Sequence, residues 1–256
     1  MAARDSRYAA FFGIMALLFA GSATVTAMWC LSMATMGEIP MAGGWTMSMA
    51  WMPMCGQSWA GAAASFLGMW VVMMAAMMLP SLAPTLWRCY RAGGGARPTA
   101  LAGAGYFFVW AMAGLAIFLL GAALAESATQ WPALARAVPV AAGMVVLIAG
   151  AVQCTAWKAR HLACCRQAPA GIGTAWHQGL HLGLRLGLHC LRSCAGLTAI
   201  LLVIGVMDLR AMAIVTAAIT LERLAPAGPR IARATGGAAI AAGLGLIVLR
   251  IGPGGL

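Results

Sequence analysis

Long apolar runs alternate with short polar segments along this chain, and the pattern predicts a bundle of membrane-spanning helices. A helix needs roughly 20 apolar residues to cross a bilayer. Runs of about that length lie at about 11–31, 60–86, 100–124, 138–158, 186–207, 211–225 and 235–251. The sixth run is short and ends in Glu222 and Arg223. The prediction is therefore an all-α, polytopic transmembrane bundle with about seven spans, or six if the sixth does not cross, forming one domain over 1–256.

Composition and charge agree with this fold class. The mean hydropathy is +0.90 and only 8% of the residues are charged, which is more apolar than a soluble core requires. The net charge of +11 does not indicate a nucleic-acid partner, because the basic residues stand between the apolar runs rather than in a tail. Twelve basic residues fall in connections on the same side of the predicted membrane as the N-terminus, and three fall in connections on the opposite side. By the positive-inside rule, the N-terminus is predicted to be cytoplasmic, with a retained first helix.

Thirteen of the 19 methionines lie between Met28 and Met78. Many belong to a Met- and Trp-rich connection at 32–59, predicted to be an extracytoplasmic loop. A solvent-facing loop gains little from methionine, whereas thioethers are ligands that select Cu(I). We therefore interpret this loop as a Cu(I) acquisition segment, whose candidate ligands are Met47, Met49, Met52, Met54 and Cys55.

The second span continues the methionine pattern. Met69, Met73 and Met77 follow one another at intervals of four, and Met74 and Met78 form a second such pair. Residues four apart share a helical face, so these thioethers could receive an ion from the loop. The alternative is that methionine fills gaps as a flexible apolar side chain, and for this stripe taken alone that alternative is favoured.

The run from His177 to Cys194 has two faces when placed on a helix at 100° per residue. A basic stripe occupies one arc and consists of His177, His181, Arg185, His189 and Arg192. The opposite arc holds Gly179, Gly183 and Gly187, and it continues into Cys190 and Cys194. Glycine at every fourth position predicts close packing against another helix. Cys190 and Cys194 should therefore point into the bundle, and the basic stripe should face headgroups or a polar cleft.

The remaining thiols separate by predicted side. Cys30 and Cys55 fall outside, where an oxidising compartment would allow a disulfide, and the other six cysteines fall at or near the inner side. His161 and Cys165 stand four apart on an inner segment and would share a helical face. Together with Cys190 and Cys194, they are the candidate inner metal ligands.

Several segments in order resemble a bacterial family of predicted metal-binding integral membrane proteins, over roughly residues 40–226. The segments are GGWTMSMAWMPM, SFLGMWVVMMAAMMLPSLAP, GYFFVW, the stretch with Gln153, Lys158, Cys165 and Arg166, GLRLGLHC with Cys194, GVMDLRAM and ERLAP. The resemblance implies a fold in the bacterial inner membrane and a metal site, but no particular reaction. The family usually has cysteine at His161, and glycine and cysteine at Arg192 and Ser193. This chain is therefore poorer in inner thiols than the family pattern.

The leading hypothesis is a membrane protein that handles copper as Cu(I), by acquisition, transfer or transport. The expected partners are the lipid bilayer, a periplasmic metal-binding protein or other membrane subunits, and a second copy of the chain. With five acidic residues and no nucleotide or nucleophile motif, the sequence does not favour an enzyme. One alternative is the membrane subunit of a copper-dependent oxidoreductase. Such an enzyme would be expected to use histidine ligands, and an outer copper site could not, because all four histidines lie on the predicted inner side. The other is a non-metal scaffold that docks partners through tryptophans.

Overall fold

The computed structural model describes residues 2–34, 37–48, 51–53, 56–166 and 176–251, and the described chain is a helical bundle. The prediction of an all-α bundle is confirmed. The helices are α1 (Ala2–Ala34), α2 (Trp59–Cys89), α3 (Ala96–Gln130), α4 (Pro132–Gln153), α5 (Ala156–Arg166), α6 (Trp176–Ile204), α7 (Leu209–Leu224) and α8 (Gly228–Ile251). A hairpin, β1 (Glu38–Met41) and β2 (Trp45–Ser48), lies between α1 and α2, and a π-helical turn (Tyr90–Gly94) follows α2.

The bundle has two ends, which its contacts identify. At the proximal end, where α1 begins, the rings of Tyr8 and Phe11 pack on Trp87 near the end of α2. At the distal end, the hairpin sits on the start of α4, where the indole of Trp45 donates to the carbonyl of Ala135 at 2.9 Å.

Six helices in the described chain, α1, α2, α3, α4, α6 and α8, are long and apolar enough to cross a membrane. The sixth predicted run corresponds to α7, which has 16 residues and a length of about 24 Å. Met207, just before α7, contacts Cys30 near the end of α1, and Glu222 in its last turn contacts Gln153 at the end of α4. Although it is short, α7 therefore runs from the distal end to the proximal end.

The fourth span ends earlier than the sequence pattern predicts. The apolar run was expected to continue to residue 158, but α4 ends at Gln153 and the chain turns at Cys154 and Thr155. The hydroxyl of Thr155 accepts a hydrogen bond from the backbone N–H of Lys158 at 3.3 Å, which caps the start of a separate helix, α5. This turn directs Lys158 into the bundle interior.

The predicted loop at 32–59 is more ordered than its composition indicated. α1 continues to Ala34, and β1 and β2 pair antiparallel around a turn in which Gly43 and Gly44 have φ of 100° and 67°. Alternate residues of a strand share a face, so Trp45 and Met47 lie on the same side of β2. The expectation of solvent-facing methionines is wrong at Met47, which is only 3% exposed.

The glycine face of α6 packs against α3, as predicted. A Cβ atom on Gly179 or Gly183 would collide with backbone atoms of Pro98 or Ala102, respectively. The glycines and their partners advance along the two helices in the same direction, so α3 and α6 are parallel. This close contact fixes the side of α6 that carries Cys190 and Cys194 toward the core.

Candidate metal centre

Three sulfur atoms meet in the core between α2 and α6. Cys190 Sγ lies 3.9 Å from Met78 Sδ and 3.8 Å from Cys194 Sγ. All three side chains are buried, with exposed fractions of 0% to 2%. The third sulfur of this group is the thioether of Met78. In the described part of the chain, no three His, Cys, Asp or Glu side chains form a group that could hold a metal ion. We call Met78, Cys190 and Cys194 the sulfur cluster.

Two hydrogen-bond donors from other helices point at the central sulfur. The hydroxyl of Tyr106 on α3 donates to Cys190 Sγ at 2.9 Å, and Arg223 Nη1 on α7 donates to it at 3.3 Å. The same Arg223 nitrogen donates to Ser81 Oγ on α2 at 2.9 Å. A cationic donor and a phenol both stabilise negative charge on a sulfur atom, and the thiolate is the form of cysteine that binds metals.

A buried ion pair lies beside the sulfur cluster. Lys158 Nζ is 2.7 Å from Glu222 Oε2, and both side chains are about 2% exposed. Gln153 and Thr235 donate to Glu222 Oε1 at 3.1 and 2.9 Å. Lys158 also donates to the backbone carbonyl of Ser193, between the cluster cysteines. The pair therefore connects α4, α5, α7 and α8 to the segment of α6 that holds the thiols.

The second-span methionines are all core residues. Met69, Met73 and Met77 are buried, as are Met74 and Met78 on the neighbouring face. Of these five, Met78 is joined to the cysteines by a sulfur–sulfur contact. The stripe that the sequence placed along one face thus lies inside the bundle, on the distal side of the cluster.

The predicted loop ligands are only partly described. Met47 is buried in the hairpin and Met52 is half-buried, whereas Met49, Met54 and Cys55 lie outside the described residues. Near this end, Cys30 Sγ contacts Met207 Sδ at 4.0 Å, and Cys30 carries a free thiol. The sequence allowed but did not predict a disulfide between Cys30 and Cys55, and this pair has one member outside the described residues.

Two imidazoles meet where α5 packs against α6, toward the proximal end of the bundle. His161 Nδ1 on α5 is 3.4 Å from His189 Nδ1 on α6, and the indole of Trp157 packs edge-on against His161 with ring centroids 4.5 Å apart. The pKa of His161 is lowered, first by desolvation and then by electrostatic repulsion from His189, Arg192 and Arg160. Cys165, expected on the same helical face as His161, lies in α5, but its side chain is outside the described residues.

Sequence reasoning named Met78, Cys190 and Cys194 as candidate metal ligands, but in two separate groups, and it missed the residues that surround them. Glu222 and Arg223 were read only as a reason to doubt the sixth span. Charged residues within membrane segments are rare and commonly functional, so these two in the last turn of an apolar run were a usable signal. Tyr106 carried no such signal, because a tyrosine in an apolar run is ordinary.

Comparison with known proteins gives one match. A family model, PpoB2, described as a copper chaperone, matches residues 67–246. No curated protein and no solved structure matches the chain. The matched segment includes the sulfur cluster, Tyr106, Arg223, the buried ion pair and both histidines of the proximal surface, but not the hairpin.

Proposed function

Because this chain belongs to the PpoB2 copper chaperone family, we propose that it is a membrane protein that binds Cu(I) at Met78, Cys190 and Cys194 and passes the ion to a partner. The supporting observation is that two buried sulfur atoms, Met78 Sδ and Cys194 Sγ, lie 3.9 and 3.8 Å from Cys190 Sγ. A guanidinium and a phenol hydroxyl also donate to this central sulfur.

The surface of the bundle supports placement in a membrane. Within the described ranges, six helices have the length and apolarity to cross a bilayer. Their outer faces expose large aliphatic side chains, among which are Leu17, Leu119, Leu120, Ile148, Val248 and Leu249. Water disfavours so much exposed apolar surface, whereas lipid tails accommodate it. We therefore place the chain in the bacterial inner membrane, with the N-terminus and the proximal end on the cytoplasmic side.

The spacing of the sulfur atoms suits a soft monovalent ion. Metal–thiolate bonds are about 2.3 Å long for ions such as zinc. Three sulfurs around one ion in a trigonal plane would then stand about 4.0 Å apart. The two separations measured from Cys190, 3.9 Å to Met78 and 3.8 Å to Cys194, match that spacing. Thiolate and thioether ligands select Cu(I) over harder ions.

The surrounding charges favour binding in the apolar core. An isolated thiolate buried in an apolar medium is costly, and the donors on Arg223 and Tyr106 reduce that cost before any ion arrives. Glu222 is already engaged by Lys158, so the guanidinium of Arg223 is directed at Cys190 and Ser81. The cluster would thus bind Cu(I) at a thiolate whose negative charge these donors already stabilise.

We extend the proposal to a route from the distal end. The methionines of the connection, Met47, Met49, Met52 and Met54 with Cys55, would collect Cu(I), and Met69, Met73 and Met77 would lead it inward to the sulfur cluster. Met47 could serve only after the hairpin loosens, because its side chain is buried. Cys30 and Met207, in contact at the distal end, offer a further pair of soft ligands near the start of this route.

Anaerobic titration of the purified full chain with Cu(I), against a chromophoric chelator, tests the site. Cys190→Ala, Cys194→Ala and Met78→Leu should each weaken binding and reduce the sulfur scattering in the X-ray absorption spectrum of copper. Cys164→Ala and Met112→Leu are matched controls, because both side chains are exposed. Unchanged affinity and sulfur scattering in all three cluster variants would exclude the cluster as the Cu(I) site.

A further inference from the structure

The two imidazoles at the proximal surface face each other through the same ring nitrogen. His161 Nδ1 and His189 Nδ1 are 3.4 Å apart, and their ring centroids are 5.6 Å apart. Both side chains are half-buried, so neither ring is enclosed in the core. The edge-on contact with Trp157 restricts the orientation of the His161 ring.

A direct hydrogen bond explains this distance poorly. N–H donors usually approach their acceptors to 2.7–3.2 Å, with a most common value near 3.0 Å. A metal ion explains it better, because imidazole nitrogens bind such ions at about 2.0–2.1 Å. At a tetrahedral angle, two such nitrogens stand about 3.3–3.4 Å apart. The observed separation is the one that a shared ion would require.

The angle between the two metal–nitrogen bonds also indicates how many further ligands the ion would accept. Two nitrogens alone would favour a linear arrangement with a separation of about 4 Å, whereas 3.4 Å corresponds to an ion with three or four ligands. One or two positions would therefore stay open to an incoming donor. An open position allows ligand exchange, which a transfer site needs and a closed structural site lacks.

Nearby charges bias the site toward a monovalent and weakly held ion. Arg160 and Arg192 act electrostatically on His161, and both repel a bound cation. The repulsion doubles for a divalent ion, so these arginines disfavour Zn²⁺ more than Cu(I). His189 directly precedes Cys190 on α6, so the surface imidazole and the buried thiol are adjacent in the chain but lie on different faces.

We propose that His161 and His189 form a second Cu(I) site, an open imidazole site that exchanges the ion with a partner at the proximal surface. The choice of Cu(I) rests on the proposed function, whereas the site itself rests on the geometry of the two rings. The purified full chain is loaded with Cu(I) under anaerobic conditions, and the bound copper and its nitrogen and sulfur scattering are measured.

The native chain should bind a nitrogen-coordinated ion in addition to the sulfur-coordinated one. His161→Leu and His189→Leu should each remove the nitrogen component and leave the sulfur component unchanged. His181→Leu is the matched control, because His181 lies on the same exposed stripe of α6. The double variant Cys190→Ala with Cys194→Ala should retain the nitrogen-coordinated ion, which separates failure of this site from failure of the sulfur cluster. Absence of nitrogen scattering in the native chain, or its persistence in His189→Leu, would overturn the proposal.

Discussion

Arg223 Nη1 donates to Cys190 Sγ at 3.3 Å, joining the last turn of α7 to the middle of α6. The same nitrogen reaches Ser81 on α2, so one guanidinium touches the two helices that supply the sulfur cluster. The interaction depends on α7 running to the proximal end of the bundle. A segment that only dipped into the membrane from the distal end would leave Cys190 without this donor.

Replacing Arg223 by glutamine should weaken Cu(I) binding by about tenfold to a hundredfold, as loss of groups that support metal ligands typically does. The amide keeps a hydrogen-bond donor but removes the positive charge that stabilises the thiolate. Competition with a chromophoric Cu(I) chelator measures the change. Arg210→Gln, at an exposed position on the same helix, should bind copper as the native chain does. Equal affinities for both variants would contradict a role for Arg223 at the cluster.

The buried ion pair should dominate stability near the proximal end. Glu222→Gln leaves the ammonium of Lys158 buried without its counter-ion, and breaking such a pair costs about 3–5 kcal/mol. Combining it with Lys158→Met should recover part of this loss, because no uncompensated charge then stays in the core. Unfolding in detergent measures both variants in a double-mutant cycle. Additive losses would show that the two charges do not interact.

The contact between α3 and α6 should be intolerant of a single methyl group. Gly183→Ala would place a Cβ against the backbone of Ala102, and overpacking of this kind costs about 1–3 kcal/mol. Gly21→Ala in α1 meets no atom within 4 Å and should be neutral or stabilising, because alanine favours helix by up to about 1 kcal/mol. Thermal unfolding compares the pair. Equal stability of the two variants would mean that α3 can move aside.

The sequence predicts those structural features that repeat with the helical period, but not the contacts between residues far apart in the chain. The glycine face of α6 and the inward direction of Cys190 and Cys194 follow from spacing along one helix, and both are confirmed. The ion pair of Lys158 and Glu222 does not, because residues far apart in the chain meet only through the turn after Gln153 and the crossing of α7. The hairpin was missed for another reason, since two strands of four residues are too short for their alternation to be distinguished from a loop.

The orientation in the membrane stays a prediction from the distribution of basic residues, and labelling can test it. Cys164 is exposed near the proximal end, which is predicted to face the cytoplasm. A membrane-impermeant maleimide should therefore not reach it in intact cells but should modify it after lysis. Gly56→Cys, exposed before the start of α2, should be labelled from outside without lysis. Peptide mass spectrometry identifies the modified cysteine. Labelling of Cys164 in intact cells would place the proximal end outside and reverse the proposed route.

The distal methionines should control how fast the sulfur cluster is loaded, not how much copper it holds. In the variant with leucine at Met47, Met49, Met52 and Met54, apolarity and volume are nearly unchanged, so the fold should survive. Because these residues precede the cluster on the proposed route, Cu(I) uptake into protein in vesicles should slow while the final copper content stays the same. Met112→Leu with Met144→Leu, both exposed on other helices, controls for loss of thioethers in general. If uptake in the two variants is equally fast, the distal methionines pack the hairpin and connection and do not collect copper.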